Sequence, residues 1–251
     1  MPKIVVFDSG LGSLSVIRPL QKRVIAEIIY FADQASYPYG TKTVRQLDKI
    51  IKSTISKLQE KFDPDVIIVG SNTPSLLLDI EKKNKVIGIF PPLKKAASKT
   101  KTGRIGILVT KSVVNSQSLD NCIRKNISSK IKVVKINATP LVDLVESGKF
   151  IFQKQTSKNI IKKIIGPHLE NKVDVFTLSS THLPFLLSIL KELFPNVLFL
   201  DPADSVARRV SKILKHKKSK KSILKIYASG NVKTFHEQLL KIGIKNKVNP
   251  L

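Results

Sequence analysis

The chain has 251 residues, ordinary apolar content and a formal net charge of +26. That is enough for one large domain or two of ordinary size with a real core. No apolar run approaches the roughly 20 residues of a membrane span, and the start leads straight into a short apolar run with no signal-like segment, so a cytoplasmic protein is expected. Cys122 is the single cysteine, which excludes an intrachain disulfide and a thiolate metal cluster. The charge excess is mostly lysine spread along the helices, and aromatics do not interleave with it. It reads first as a solvated surface and second as non-specific attraction to polyanions such as nucleic acid.

Residues 4–7 are a continuous apolar run, the mark of a strand buried on both faces. Asp8-Ser9-Gly10-Leu11-Gly12-Ser13 follows, then Leu14, Val16, Ile17 and Leu20 at helical spacing. The glycines match a dinucleotide fingerprint poorly: the third is missing, and an aspartate in the turn would repel a pyrophosphate. It would suit an ammonium group or a proton transfer. Residues 27–31 predict a second strand, followed by Asp33 and the turn-rich Tyr37-Pro38-Tyr39-Gly40-Thr41-Lys42. Residues 44–62 predict a helix with Leu47, Ile50, Ile51, Ile55 and Leu58 as its apolar stripe.

Residues 65–74 read Asp-Val-Ile-Ile-Val-Gly-Ser-Asn-Thr-Pro, a buried strand that ends in small polar residues. Residues 174–184 nearly repeat it: Asp-Val-Phe-Thr-Leu-Ser-Ser-Thr-His-Leu-Pro. In both, an aspartate opens the strand and a serine, Ser71 or Ser180, stands six positions on. Between the copies come strands at 86–90 and 104–109, with Thr110 where Asp8 stood. A helix over 112–123, a strand over 131–136, a helix from Thr139 carrying Glu146, and a lysine-rich helix over 157–169 follow. After the second copy come a helix over 183–194, a strand over 197–200 and a helix over 203–214 opened by Asp201 and Asp204. A basic run at 215–221 reads as a loop, residues 223–227 as the last strand and residues 235–240 as part of the last helix. The tail after Ile244 shows no pattern. His168, His216 and His236 lie on lysine-rich or helical stretches and are expected to be solvated.

Strands alternating with helices predict an α/β fold. Because the pattern restarts at Ile105, we expect two similar doubly wound lobes with parallel sheets: residues 1–92 plus 207–251, and residues 93–206. Ligands of such sheets bind at the carboxyl ends of strands, where Asp8, Ser71, Thr110 and Ser180 sit. A cleft between the lobes is the expected site.

These motifs resemble the cofactor-independent glutamate racemase family of the aspartate/glutamate racemase superfamily, over almost the whole chain. Asp8-Ser9-Gly10 with Gly12 looks like the family's first loop, and Asp33 with Pro38-Tyr39-Gly40 like its second. Ser71-Asn72-Thr73 stands where the family has Cys-Asn-Thr, and Ser180-Thr181-His182 where it has Cys-Thr-His. Leu144-Val145-Glu146 and Val206-Ala207-Arg208-Arg209 match two further segments. The resemblance implies binding of glutamate or aspartate through Asp8, Ser9, Asp33, Tyr39, Gly40, Asn72, Thr73, Thr181 and His182. It implies proton transfer on both faces of Cα at positions 71 and 180, assisted by Asp8, Glu146 and His182. It also implies no cofactor, no metal and a homodimer.

The departure is chemical. A thiol ionises near pH 8.5, whereas an alcohol ionises closer to water, near 15.7. The gap of roughly 7 units costs about 10 kcal/mol for forming the base. Ser71 and Ser180 cannot simply replace two thiols. Either racemisation is lost or neighbours take over, and the candidates are Asp8 beside Ser71 and His182 with Glu146 beside Ser180. Three functions follow as expectations: a racemase with an altered acid/base set, a non-catalytic acidic-amino-acid-binding or regulatory protein, and a nucleic-acid-associated protein.

Overall fold

The structure is a computed structural model in which residues 1–82, 85–215 and 219–251 are described. His216 and the middle of the basic run 215–221 lie outside the described residues. The chain forms two compact units, Met1–Ile89 with Ala203–Leu251, and Phe90–Pro202. The divisions fall a few residues earlier than those expected from the sequence. Ile89 stays with the first unit because its N–H donates to Ser75 Oγ and its carbonyl accepts from Asn72 Nδ2. Among the described residues, no helix is long and apolar enough to cross a membrane.

The first unit holds strands β1 (Lys3–Asp8), β2 (Glu27–Ala32), β3 (Val66–Val69) and β4 (Val86–Gly88). The second holds β5 (Arg104–Val109), β6 (Lys132–Asn137), β7 (Val175–Leu178) and β8 (Leu198–Leu200). The chain then returns to the first unit with β9 (Ile223–Ala228) and β10 (Val248–Pro250). Among the described residues, the sheets run β10-β9-β2-β1-β3-β4 and β6-β5-β7-β8, parallel throughout. Four strands of each unit thus follow one order, the second strand beside the first, then the third and fourth. That shared order is the structural form of the repeat read in the sequence, and the second unit lacks counterparts of β9 and β10.

In the first unit, Val5, Phe7, Ile29, Phe31, Ile67 and Val69 pack against the helix Val44–Phe62. Thr43 and Gln46 form a capping box that fixes where this helix begins. Four residues of its expected stripe, Leu47, Ile51, Ile55 and Leu58, are buried, and Ile50 is partly so. Burying each such side chain contributes about 1.5–3 kcal/mol. In the second unit, the rings of Phe176 on β7 and Phe199 on β8 stack at 5.6 Å.

Two expectations are corrected. Residues 223–227 are not the last strand, because β10 pairs with β9 through Val248, Asn249 and Pro250. Three residues ending in proline carry no alternation, and a proline is tolerated at a sheet edge. The helix over 112–123 is two helices, Lys111–Val114 and Gln117–Asn126, because Ser116 caps the second by accepting from the Leu119 N–H.

Candidate active site

The aspartates that open the repeated strands are ties. Asp65 Oδ2 accepts the Lys3 N–H at 2.9 Å. Asp174 accepts from Thr100 Oγ1 at 2.6 Å, the Lys101 N–H at 2.6 Å and the Thr102 N–H at 3.1 Å. Burial raises the Asp174 carboxyl, but these hydrogen bonds outweigh it and hold the group below its usual range. The aspartates set where β3 and β7 begin, and the candidate site residues follow the other ends.

At the carboxyl ends of β1 and β2, the first unit gathers Asp8, Ser9, Asp33 and Tyr39, all buried. Asp8 Oδ1 accepts the Ser9 N–H at 2.7 Å, and the Tyr39 N–H reaches Ser9 Oγ at 3.4 Å. The Asp33 N–H donates to the Asp8 carbonyl at 2.7 Å, extending the β1–β2 register by one residue. Both Asp33 oxygens are engaged: Oδ2 by the Tyr39 hydroxyl at 2.9 Å and Thr54 Oγ1 at 3.4 Å, Oδ1 by Ser229 Oγ at 3.2 Å. Asp33 therefore anchors the Tyr39 loop, the long helix and the end of β9. Burial, then the charges of Asp33 and Asp8, push the Tyr39 hydroxyl well above its ordinary value, so it stays protonated. Gly40 lies in the 3-10 turn Tyr39–Thr41.

Ser71 follows β3 by two residues and is half-buried. It precedes the helix Asn72–Leu77, but its hydroxyl caps none of that helix's N–H groups. The strand end lies close to β1: the Gly70 N–H donates to the Phe7 carbonyl at 2.7 Å. A Cβ at Gly70 would sit 2.3 Å from Ser13 Cβ, so only glycine allows this approach. Asn72 and Thr73 are buried. Asn72 Nδ2 donates to the Ile89 carbonyl at 2.9 Å, which orients the amide, and its buried Oδ1 has no partner among the described residues.

Ser180 follows β7 by two residues, the matching place in the second unit. Ser180, Thr181 and His182 are buried. His182 Nε2 lies 2.5 Å from Glu146 Oε1, and Nδ1 lies 3.4 Å from Ser180 Oγ. An ionised carboxylate can only accept, so in the neutral imidazole Nε2 carries the proton and Nδ1 turns its lone pair toward Ser180. Glu146 reaches His182 from the last residue of the helix Thr139–Glu146, which Gly148 follows with φ +71°. Thr110, at the end of β5, pairs with Ser112 at 3.2 Å and supplies no carboxylate to match Asp8.

The chain is 33% identical to a glutamate racemase from Aliivibrio fischeri over 221 residues, 85% of this chain and 82% of that protein. The chain belongs to the glutamate racemase family. It is 31% identical to the glutamate racemase of Herpetosiphon aurantiacus, over 84% of each chain. Its fold is similar to the crystal structure of Escherichia coli glutamate racemase in complex with L-glutamate and an activator, UDP-MurNAc-ala. The TM-score is 0.84, with 25% identity, over 100% of this chain and 98% of that one. No family model matches the chain.

Of the sequence-predicted residues, Asp8, Ser9, Asp33, Ser71, Asn72, Thr73, Ser180, Thr181 and His182 lie at or just after strand ends of their own units, Tyr39 and Gly40 lie in the turn after β2, and Glu146 comes from a helix. Ser229 and Thr54 were missed as partners of Asp33. Ser229-Gly230 at the end of β9 repeats the small-polar ending of β1, and that was the available signal. His168 and His236 are half-buried rather than solvated. His168 stands one turn after buried Ile165 and His236 next to buried Phe235, so both fall on helix flanks. Burial lowers the His168 imidazole. Burial raises the Cys122 thiol against smaller opposing effects of Lys125 and Asn126, so it stays protonated. Among the described residues, no group of His, Cys, Asp or Glu side chains is placed to hold a metal ion.

Proposed function

We propose that the chain binds glutamate and acts on its α-proton, with two-base racemisation strongly weakened by serine at positions 71 and 180. Membership of the glutamate racemase family over most of the chain carries this reading. The Asn72 amide supports it: a fixed, buried acceptor without a donor suits the ammonium group of an amino acid. Asp8, Ser9, Tyr39, Gly40, Asn72, Thr73, Thr181 and His182 are assigned to the ligand. Asp33 is assigned to holding Tyr39 in place for it. A side chain the length of glutamate is favoured over aspartate by the family named in the comparisons.

The test is calorimetry with L-glutamate, D-glutamate and aspartate. Saturable binding of glutamate is expected, and no binding of any acidic amino acid would overturn the reading. A binding or regulatory role without turnover is the second reading, favoured by the Ser71 hydroxyl, which pairs with no imidazole or carboxylate among the described residues. It predicts binding with no exchange of the α-proton. The +26 charge supports non-specific polyanion attraction, seen as a mobility shift that vanishes at moderate salt. A homodimer rests on the resemblance, and sedimentation would read it.

A further inference from the structure

The two serine-bearing strand ends are chemically unequal. Two residues after Ser180 stands His182, and two residues after Ser71 stands Thr73. A threonine hydroxyl has no lone pair basic enough to take a proton at neutral pH, whereas a neutral imidazole has one. In the second unit that lone pair is aimed: Glu146 holds Nε2–H, and Nδ1 faces Ser180 Oγ. In the first unit, the described imidazole is His236, whose Nδ1 has no hydrogen-bond partner and which does not pair with Ser71. Its remaining candidate bases are carboxylates. Asp33 has both oxygens engaged, and Asp8 already accepts the Ser9 N–H. A carboxylate ordinarily titrates near 3.9 and an imidazole near 6.5, so a carboxylate is the weaker base by roughly 2.6 units.

We propose that this chain is a one-sided catalyst, which exchanges the α-proton of one glutamate enantiomer with solvent and does not invert it, with His182 Nδ1 as the proton acceptor. The inference rests on the glutamate reading above. The Cα–H bond breaks, its proton goes to Nδ1, and the electron pair is delocalised into the α-carboxylate. The imidazolium then carries two N–H groups, one held by Glu146. After exchange with solvent, Nδ1 returns a proton to the same face. His182 is the catalytic residue and Glu146 a positioning residue that fixes the tautomer.

The experiment incubates the unaltered protein in deuterium oxide with L-glutamate and, separately, D-glutamate. Loss of the α-proton signal is followed by NMR, and chirality by chromatography. We expect deuterium incorporation at least about 100-fold faster in one enantiomer, with retention. Comparable exchange of both enantiomers, or interconversion as fast as exchange, would overturn the proposal. So would no exchange in either when calorimetry shows glutamate bound. Absence of binding would overturn the glutamate reading and this proposal with it. Glu146→Gln should cut exchange at least about tenfold while glutamate binding persists, and Glu146→Asp should restore part of it. Loss of binding and exchange together in Glu146→Gln, with no recovery in Glu146→Asp, would count against the positioning role.

Discussion

Tyr39 keeps its proton because it is buried beside two carboxylates. A tyrosine whose folded value is raised stabilises the fold fully below its ordinary value of 10.0, and that contribution is lost as pH rises through the folded value. Tyr39→Phe should cost about 1 kcal/mol at pH 7 through the lost bond to Asp33. The gap between variant and parent should shrink above pH 10, which parallel denaturant melts at pH 7 and above pH 10 would measure. Equal gaps at both pH values would contradict the assignment. Asn72 gives a binding prediction at the same scale. Asn72→Leu should weaken glutamate binding by about 1–3 kcal/mol, roughly 5- to 150-fold, by calorimetry. Unchanged affinity would show that the free amide oxygen is not a ligand contact.

The ends of strands carry the candidate site, and the aspartates at their starts tie the strands in place. Asp174 has a depressed carboxyl, so its contribution is present above the ordinary aspartate value and lost as pH falls through the folded one. Asp174→Asn should lower stability at pH 7 by about 1–3 kcal/mol, with the difference closing in acid melts. Gly70→Ala places a carbon against Ser13 and should cost about 1–3 kcal/mol or more. It should also weaken glutamate binding, because Ser71 is the next residue. At this scale much was legible. Both serine strand ends, the β1 loop and the long helix stand out because parallel strands are continuous apolar runs and the helix is strictly periodic. β10 was illegible because an edge strand of three residues has no period to read. The bond between His182 and Glu146 was legible only as a family expectation, since 36 residues of chain separate them.

For the whole molecule, the shared strand order of the two units makes the repeat a property of the fold as well as of the sequence. The repeat equalises the places of Ser71 and Ser180 while leaving their neighbours different, and the proposed one-sided exchange rests on those neighbours. Family membership supplies glutamate as the ligand to test. The serine pair supplies the reason to expect weak interconversion, since an alcohol is about 10 kcal/mol harder to ionise than a thiol. The most direct measurement compares racemisation of glutamate by the unaltered protein with that of the double variant Ser71→Cys, Ser180→Cys. Interconversion by the double variant should be at least about 1,000-fold faster than by the unaltered protein. Equal rates in the two proteins would contradict it.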